Sequence, residues 1–337
     1  MNKISTFTIL FIVLISGCSA DYEQYLAAGS ESYKNGDYKE AIYFYRKVLE
    51  LKPNDPGVYF NIANAKSRLG LYFGAIEDYT RAINLSPNFS EAYLNRAKTR
   101  ILSRNFSDAL RDCDKYIELN SDDASAYFTR AYIKDALSDY LGAVDDYSKV
   151  IKLDPSSEKA FINRGNVKIK LEEYKGADHD YTSAIELNQK NEGAYINRAG
   201  VRAISGDYLN ALEDYKRVIE LNPSNADAYF LRGDLNNKLE LFKEAVNDFT
   251  KAVKINPYYY QVYFERGKTY NMLKEYLDAI RDFSYCIKLN PKDSKAYLQR
   301  GLSKIFLGKV KEGCSDLTTA GELGNFESYS LINKYCK

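Results

Sequence analysis

Residues 192–225 read EGAYINRAGVRAISGDYLNALEDYKRVIELNPSN. Two stretches with helical spacing of apolar residues, EGAYINRAGVRAI and NALEDYKRVIEL, flank the turn-forming Ser205-Gly206-Asp207. Asn222-Pro223 ends the second helix, because proline has no N–H to donate and restricts the residue before it. The stretch is a helix–turn–helix unit, and it recurs every 34 residues in both directions. Aromatics stand at Tyr25, Tyr59, Tyr93, Tyr127, Phe161, Tyr195, Tyr229, Tyr263 and Tyr297. A second ladder runs Tyr38, Tyr72, Phe106, Tyr140, Tyr174, Tyr208, Phe242 and Tyr276, and breaks at Val310. Alanine repeats from Ala41 to Ala279 and gives way to Gly313. Pro53, Pro87, Pro155, Pro223, Pro257 and Pro291 close most units, with Ser121 and Gln189 as substitutes.

Nine units fit without insertion or deletion: 22–55, 56–89, 90–123, 124–157, 158–191, 192–225, 226–259, 260–293 and 294–327. One unit cannot bury its own apolar face, so stacking makes the core. The pattern resembles the tetratricopeptide repeat, with an aromatic in place of the usual Trp, small residues at closest contact and a helix-ending Pro. Departures are local: Cys113 stands where most units have Tyr or Phe, Gly313 replaces Ala, and Trp is absent throughout. The resemblance implies an all-α fold, a right-handed superhelical α-solenoid of nine tandem repeats with first helices lining a concave side. Phe326, Tyr329, Ile332 and Tyr335 recur at three-residue spacing, so a capping helix is expected within 325–337.

The N-terminus is a separate object. Lys3 precedes the run FTILFIVLI at 7–15, apolar except for Thr8. The run is too short to span a bilayer, which needs about 20 residues, and suits the core of a secretory signal. It ends in Ile15-Ser16-Gly17-Cys18, which resembles a bacterial lipoprotein signal. That resemblance implies removal of residues 1–17, lipidation of Cys18 and a short tether at 18–21. Ser19, rather than Asp, implies the outer membrane over the inner one. The expected location is the bacterial cell envelope, with the membrane contacted through the N-terminal lipid.

Composition narrows the function. Lys+Arg number 47 against 46 Asp+Glu, which argues against a nucleic-acid binder driven by phosphate neutralisation. His179 is the single histidine and lies within a second helix, without a partner at metal spacing. The DxD pairs Asp112–Asp114 and Asp178–Asp180 fall inside helices rather than in a calcium loop. No phosphate loop or nucleophile elbow occurs. No enzyme activity, cofactor, metal or small-molecule substrate is expected.

Two charged rows share the period. Arg96, Arg130, Arg164, Arg198, Arg232, Arg266 and Arg300 are the seventh residue of units 3 to 9. Asp78, Asp112, Asp146, Asp180, Asp214, Asp248, Asp282 and Asp316 are the twenty-third residue of units 2 to 9. An anion-binding Arg stripe and a structural Arg–Asp ladder are the competing readings, and the matched rows favour the ladder. Counting leaves pairing within a unit and to the next unit equally open.

The resemblance implies that the binding surface comprises residues 2, 5, 9, 12 and 13 of each unit. Here they include Phe60, Asn64 and Arg68, then Phe128 and Tyr132, Ile162 and Asn166, Ile196, Phe230 and Asp234, and Phe264 and Lys268. The fifth residue stays apolar after the first unit. This seam suits an extended peptide or an amphipathic helix, or packs against neighbouring helices instead. The carboxylate clamp known in the family is broken: Asn64 with Asn95 and Asn166 with Asn197 match, but Phe60 and Ile162 replace its lysines. Cys113 and Cys286 take core positions and read as buried thiols. Cys314 and Cys336 bracket the C-terminal end and are a candidate disulfide in an exported protein. The expected function is a membrane-anchored scaffold for protein partners. The alternative is an assembly factor or adaptor for envelope machinery, serving pilus or outer-membrane protein biogenesis or tethering a peptidoglycan hydrolase or protease.

Overall fold

The computed structural model describes residues 6–336, with side chains from Ala20 onward. Part of the expected signal, residues 1–5, lies outside the described residues, as does the side chain of Cys18. Among the described residues there are nineteen helices and no strand. They divide into two compact units, Met1–Glu173 and Tyr174–Lys337.

The first unit holds α1 (Thr6–Asn35), α2 (Tyr38–Leu51), α3 (Pro56–Arg68), α4 (Tyr72–Leu85), α5 (Ser90–Leu102), α6 (Phe106–Leu119), α7 (Ala124–Ala136), α8 (Tyr140–Leu153) and α9 (Glu158–Lys170). The second holds α10 (Tyr174–Leu187), α11 (Glu192–Ile204), α12 (Tyr208–Leu221), α13 (Ala226–Lys238), α14 (Phe242–Ile255), α15 (Tyr260–Met272), α16 (Tyr276–Leu289), α17 (Ser294–Phe306), α18 (Val310–Glu322) and α19 (Glu327–Tyr335). Within each unit every helix packs on the next. The first helices of successive repeats also touch one another, α3 on α5 on α7, and α13 on α15 on α17. They therefore form one layer of each unit. Residues 18–21, expected as a tether, lie within α1. The segment CSAD contains neither Pro nor Gly to stop it.

The local causes repeat with the period. Most turns between a first and a second helix pass through a left-handed residue, glycine at Gly70 (φ +76°), Gly206 and Gly308. Arg104, Ser138, Glu172, Glu240 and Lys274 hold the same position at φ 59° to 64°, where a Cβ costs about 1–2 kcal/mol. At the last position of several repeats an Asp or Asn caps the following helix. Asp55, for instance, accepts from the backbone N–H groups of Gly57 and Val58.

The core alternates close and wide spacing. Ala41, Ala75, Ala109, Ala143, Ala177, Ala211, Ala245 and Ala279 are fully buried, as the small-residue ladder requires. Four residues further along most second helices sits a large buried ring, among them Tyr79, Tyr147, Tyr181, Phe249 and Phe283. A Cβ added at Gly233 would lie 2.8 Å from the Phe249 ring, and one at Gly267 2.9 Å from Phe283. These two glycines let the Phe ring lie close against the first helix. Cys113 occupies the corresponding place in the third repeat. Burial pushes its thiol and that of Cys286 up to about 12, so neither forms the thiolate that would make it reactive at neutral pH.

Candidate partner-binding surface

The Arg and Asp rows meet within repeats. Nε and Nη2 of Arg96, Arg130, Arg198, Arg232, Arg266 and Arg300 each donate to the two carboxylate oxygens of Asp112, Asp146, Asp214, Asp248, Asp282 and Asp316, at 2.6–3.0 Å. These carboxylates are at most 6% exposed, so the fork-to-fork geometry is what makes their burial tolerable. The third guanidinium nitrogen often reaches back one repeat. Arg96 Nη1 donates to Thr80, Arg164 to Ser148, Arg198 to Thr182, Arg266 to Thr250 and Arg300 to Ser284. Arg130 uses the same nitrogen on Asp114. Each such arginine ties its own two helices together and also bonds the preceding repeat. Their donors are committed, which removes the anion-stripe reading.

A second row went unnoticed in the sequence. Lys66, Arg100, Lys134, Arg202 and Lys304, the eleventh residue of their repeats, contact carboxylates of the Asp row, Asp78 included, at 2.5–2.9 Å. Asn236 takes this role toward Asp248 at 3.1 Å. Tyr270 takes the position in the eighth repeat, and there burial outweighs Arg266 and holds the Asp282 carboxyl above its ordinary range. The period alone could have exposed this row. Its mixture of Lys, Arg, Asn and Tyr hid it.

In each unit most of the apolar fifth-position residues are half-buried along its layer of first helices. Phe60, Phe128, Phe230 and Phe264 each set a ring 5.4–6.1 Å from the deep aromatic of the same repeat: Tyr79, Tyr147, Phe249 and Phe283. Phe60 also lies 4.9 Å from Phe89, and Phe230 5.4 Å from Tyr259. Ile162 and Ile196 are likewise partly buried. Both readings of the seam hold in part: one side of each residue packs between helices, and the other remains accessible. Its rim is more open. Arg68, Asp234 and Lys268 are exposed, Tyr132 is 47% exposed, and Lys268 pairs with Glu265 at 2.8 Å. Asn166 is half-buried on α9.

The same face carries a cleft in each unit. In the first, Tyr33, Asn64, Ser67, Arg68, Tyr79, Asn95, Lys98, Thr99 and Leu102 line about 470 Å³. Asn64 Oδ1 accepts from the Tyr79 hydroxyl at 2.6 Å and from Asn95 Nδ2 at 2.9 Å. In the second, Asp234, Asn237, Lys238, Phe242, Glu265, Lys268 and Met272 line about 370 Å³. Beyond this face, Cys314 of α18 is bonded to Cys336, with Cα atoms 5.8 Å apart. The bridge holds α19 over Leu298, Ile305, Leu317 and Ala320 through Leu331, Ile332 and Tyr335.

Comparison with known proteins agrees with this architecture. A TPR-repeat family model matches residues 29–70 and 201–240. A tetratricopeptide-repeat model matches 56–89, 124–157, 158–191 and 226–259. Together they span more than half of the chain. No curated relative matches it. Among solved structures, the C-terminal part of a TPR repeat-containing protein from Cytophaga hutchinsonii is 18% identical with a TM-score of 0.57, covering 80% of this chain and 97% of that one. A tetratricopeptide repeat protein from Parabacteroides merdae is 20% identical with a TM-score of 0.54, covering 70% and 94%. At these identities the likeness concerns the fold. The repeats support a protein–protein interaction scaffold. The chain belongs to the tetratricopeptide repeat family.

Proposed function

We propose that the layer of first helices holds an extended or helical segment of a protein partner, and that a lipid on Cys18 tethers the scaffold in a bacterial cell envelope. The supporting observation for binding is the contrast between a half-buried apolar seam and an exposed rim that changes from repeat to repeat. Burying the open side of the seam supplies affinity at roughly 25 cal/mol per Å². The changing rim (Tyr132, Asp234, Lys268) supplies register and selectivity. Lipid attachment rests on the sequence Ile15-Ser16-Gly17-Cys18, and the same signal supports the outer membrane over the inner one. In this reading the scaffold performs no catalytic step; it gathers or presents a client of envelope machinery.

A photo-crosslinking amino acid placed singly at Tyr132, Asp234 or Lys268, and at Glu213 or Lys216 on a second helix as controls, tests the surface in intact cells. Crosslinks from the three rim positions and none from the controls are expected. Crosslinks confined to the controls would move the site to the layer of second helices.

A further inference from the structure

The cleft of the first unit has a chemical character that its repeat position does not require. Arg68 and Lys98 are both exposed, and neither forms an ion pair among the described residues. That sets them apart from the eleventh-position Lys66 and Arg100 on the same helices, which are consumed by Asp78 and Asp112. No carboxylate lines the cleft. The remaining polar lining is neutral, and its donors are oriented. Asn64 Oδ1 is occupied by Tyr79 and Asn95, which leaves Nδ2 as the donor of that amide. Ser67 and Thr99 hydroxyls bond each other at 3.1 Å, and Thr99 donates to the Asn95 carbonyl at 2.8 Å, which fixes that wall. Along α3, Phe60, Asn64 and Arg68 follow at four-residue steps on one face, passing from apolar to amide to cation. The corresponding cleft of the second unit differs, since Asp234 and Glu265 balance Lys238 and Lys268 there.

We propose that the cleft between Arg68 and Lys98 is a pocket for an acidic side chain of the partner segment, an Asp or Glu within the chain rather than its terminus. The two cations supply attraction, and the Asn64 amide supplies a directed donor to the carboxylate. The Phe60 seam one turn away takes an apolar neighbour of that residue. An aqueous carboxylate gains two cations and a fixed amide and meets no opposing charge. A neutral segment would leave Arg68, which bonds only the neutral Tyr33 hydroxyl, and Lys98 without a counter-charge.

This proposal rests on the groove reading above, and a single experiment separates the two. A displayed library of random twelve-residue peptides with blocked termini is selected against the wild-type protein and against Arg68→Ala/Lys98→Ala. Both residues are exposed, and matched circular-dichroism melts verify that the variant is folded. Wild-type selections should converge on one fixed Asp or Glu, and the double variant should lose that preference. For the best peptide, Glu→Gln should weaken binding about tenfold in the wild type and leave the variant almost unchanged. The wild-type affinity should also fall with added salt. Selected peptides without a fixed acid, or an acid preference that survives in the variant, would overturn the proposal and leave the groove reading standing. Binding seen only when a free C-terminal carboxylate or a phosphorylated residue is supplied would also overturn it. Failure to enrich any peptide would remove the groove reading and the proposal together.

Discussion

The eighth repeat should be the one most sensitive to loss of its arginine. Arg266 donates twice to Asp282 at 2.8 Å and once to Thr250 at 3.0 Å. Tyr270 stands where most repeats place a second cation and the seventh places Asn236, which still donates to its carboxylate. Arg266→Met therefore leaves a carboxylate that is 5% exposed without any counter-charge, a loss of about 3–5 kcal/mol. In the third repeat, Arg96→Met leaves Asp112 with Arg100 at 2.6 Å. The loss there is that of charge-assisted hydrogen bonds, about 1.5–3 kcal/mol. Hydrogen exchange read by mass spectrometry on α15–α16 and α5–α6 is the suitable assay, because repeat arrays open locally rather than as one unit. The sign of the pH dependence follows from Asp282. Its folded pKa lies above the unfolded value of about 3.9, so the folded protein takes up the proton first and falling pH relieves the buried charge. The Arg266→Met deficit should thus be full at neutral pH and shrink as pH falls into the carboxylate range. Adding Asp282→Leu should restore protection to within about 1 kcal/mol of wild type. Equal deficits in the two repeats, or a pH-independent deficit in the eighth, would refute the single-counter-charge reasoning.

Cys18→Ala should abolish metabolic fatty-acid labelling and leave an unprocessed precursor; unchanged labelling would contradict lipidation there. Cys314→Ser/Cys336→Ser should cost the C-terminal cap about 3 kcal/mol in the chain-entropy view, visible as faster exchange in α18 and α19 with α11–α14 unaffected. Lys274→Gly relieves a left-handed Cβ at φ 62°, and should stabilise the eighth repeat by about 0.5–1 kcal/mol in the same exchange assay.

The sequence makes the repeat legible because one period is written in several independent alphabets. Aromatic, alanine, proline and Arg–Asp rows all return at the same spacing, and each reports a different physical requirement. Side-chain commitments were less visible. Counting Arg and Asp could not choose a register, since both registers use equal numbers; the i, i+16 geometry within a repeat chooses it. The eleventh-position row escaped notice because four residue types serve it. Fifth-position apolar residues looked like either a groove or a core for the reason that Phe128 is both, stacked at 5.4 Å on Tyr147 yet only partly buried. The cleft was unreadable because its cations, Arg68 and Lys98, come from different positions of successive repeats. Only packing α3 beside α5 brings them together.

In the groove reading proposed above, stability and recognition fall on separate positions of one repeat. In the third, fourth, sixth and ninth repeats the seventh, eleventh and twenty-third residues form a buried ionic knot, and its third guanidinium bond often extends to the preceding repeat. Changing one of them injures the local fold, which accounts for the monotony of the seventh and twenty-third positions. The ninth, twelfth and thirteenth residues carry little of that load. Arg68, Tyr132, Asp234 and Lys268 differ in charge and size while their helices remain alike. In the first unit the layer offers cations without counter-charge on α3 and α5, and in the second it offers balanced charges on α13 and α15. Selectivity can therefore be rewritten residue by residue at the rim without touching the ionic knots beneath it.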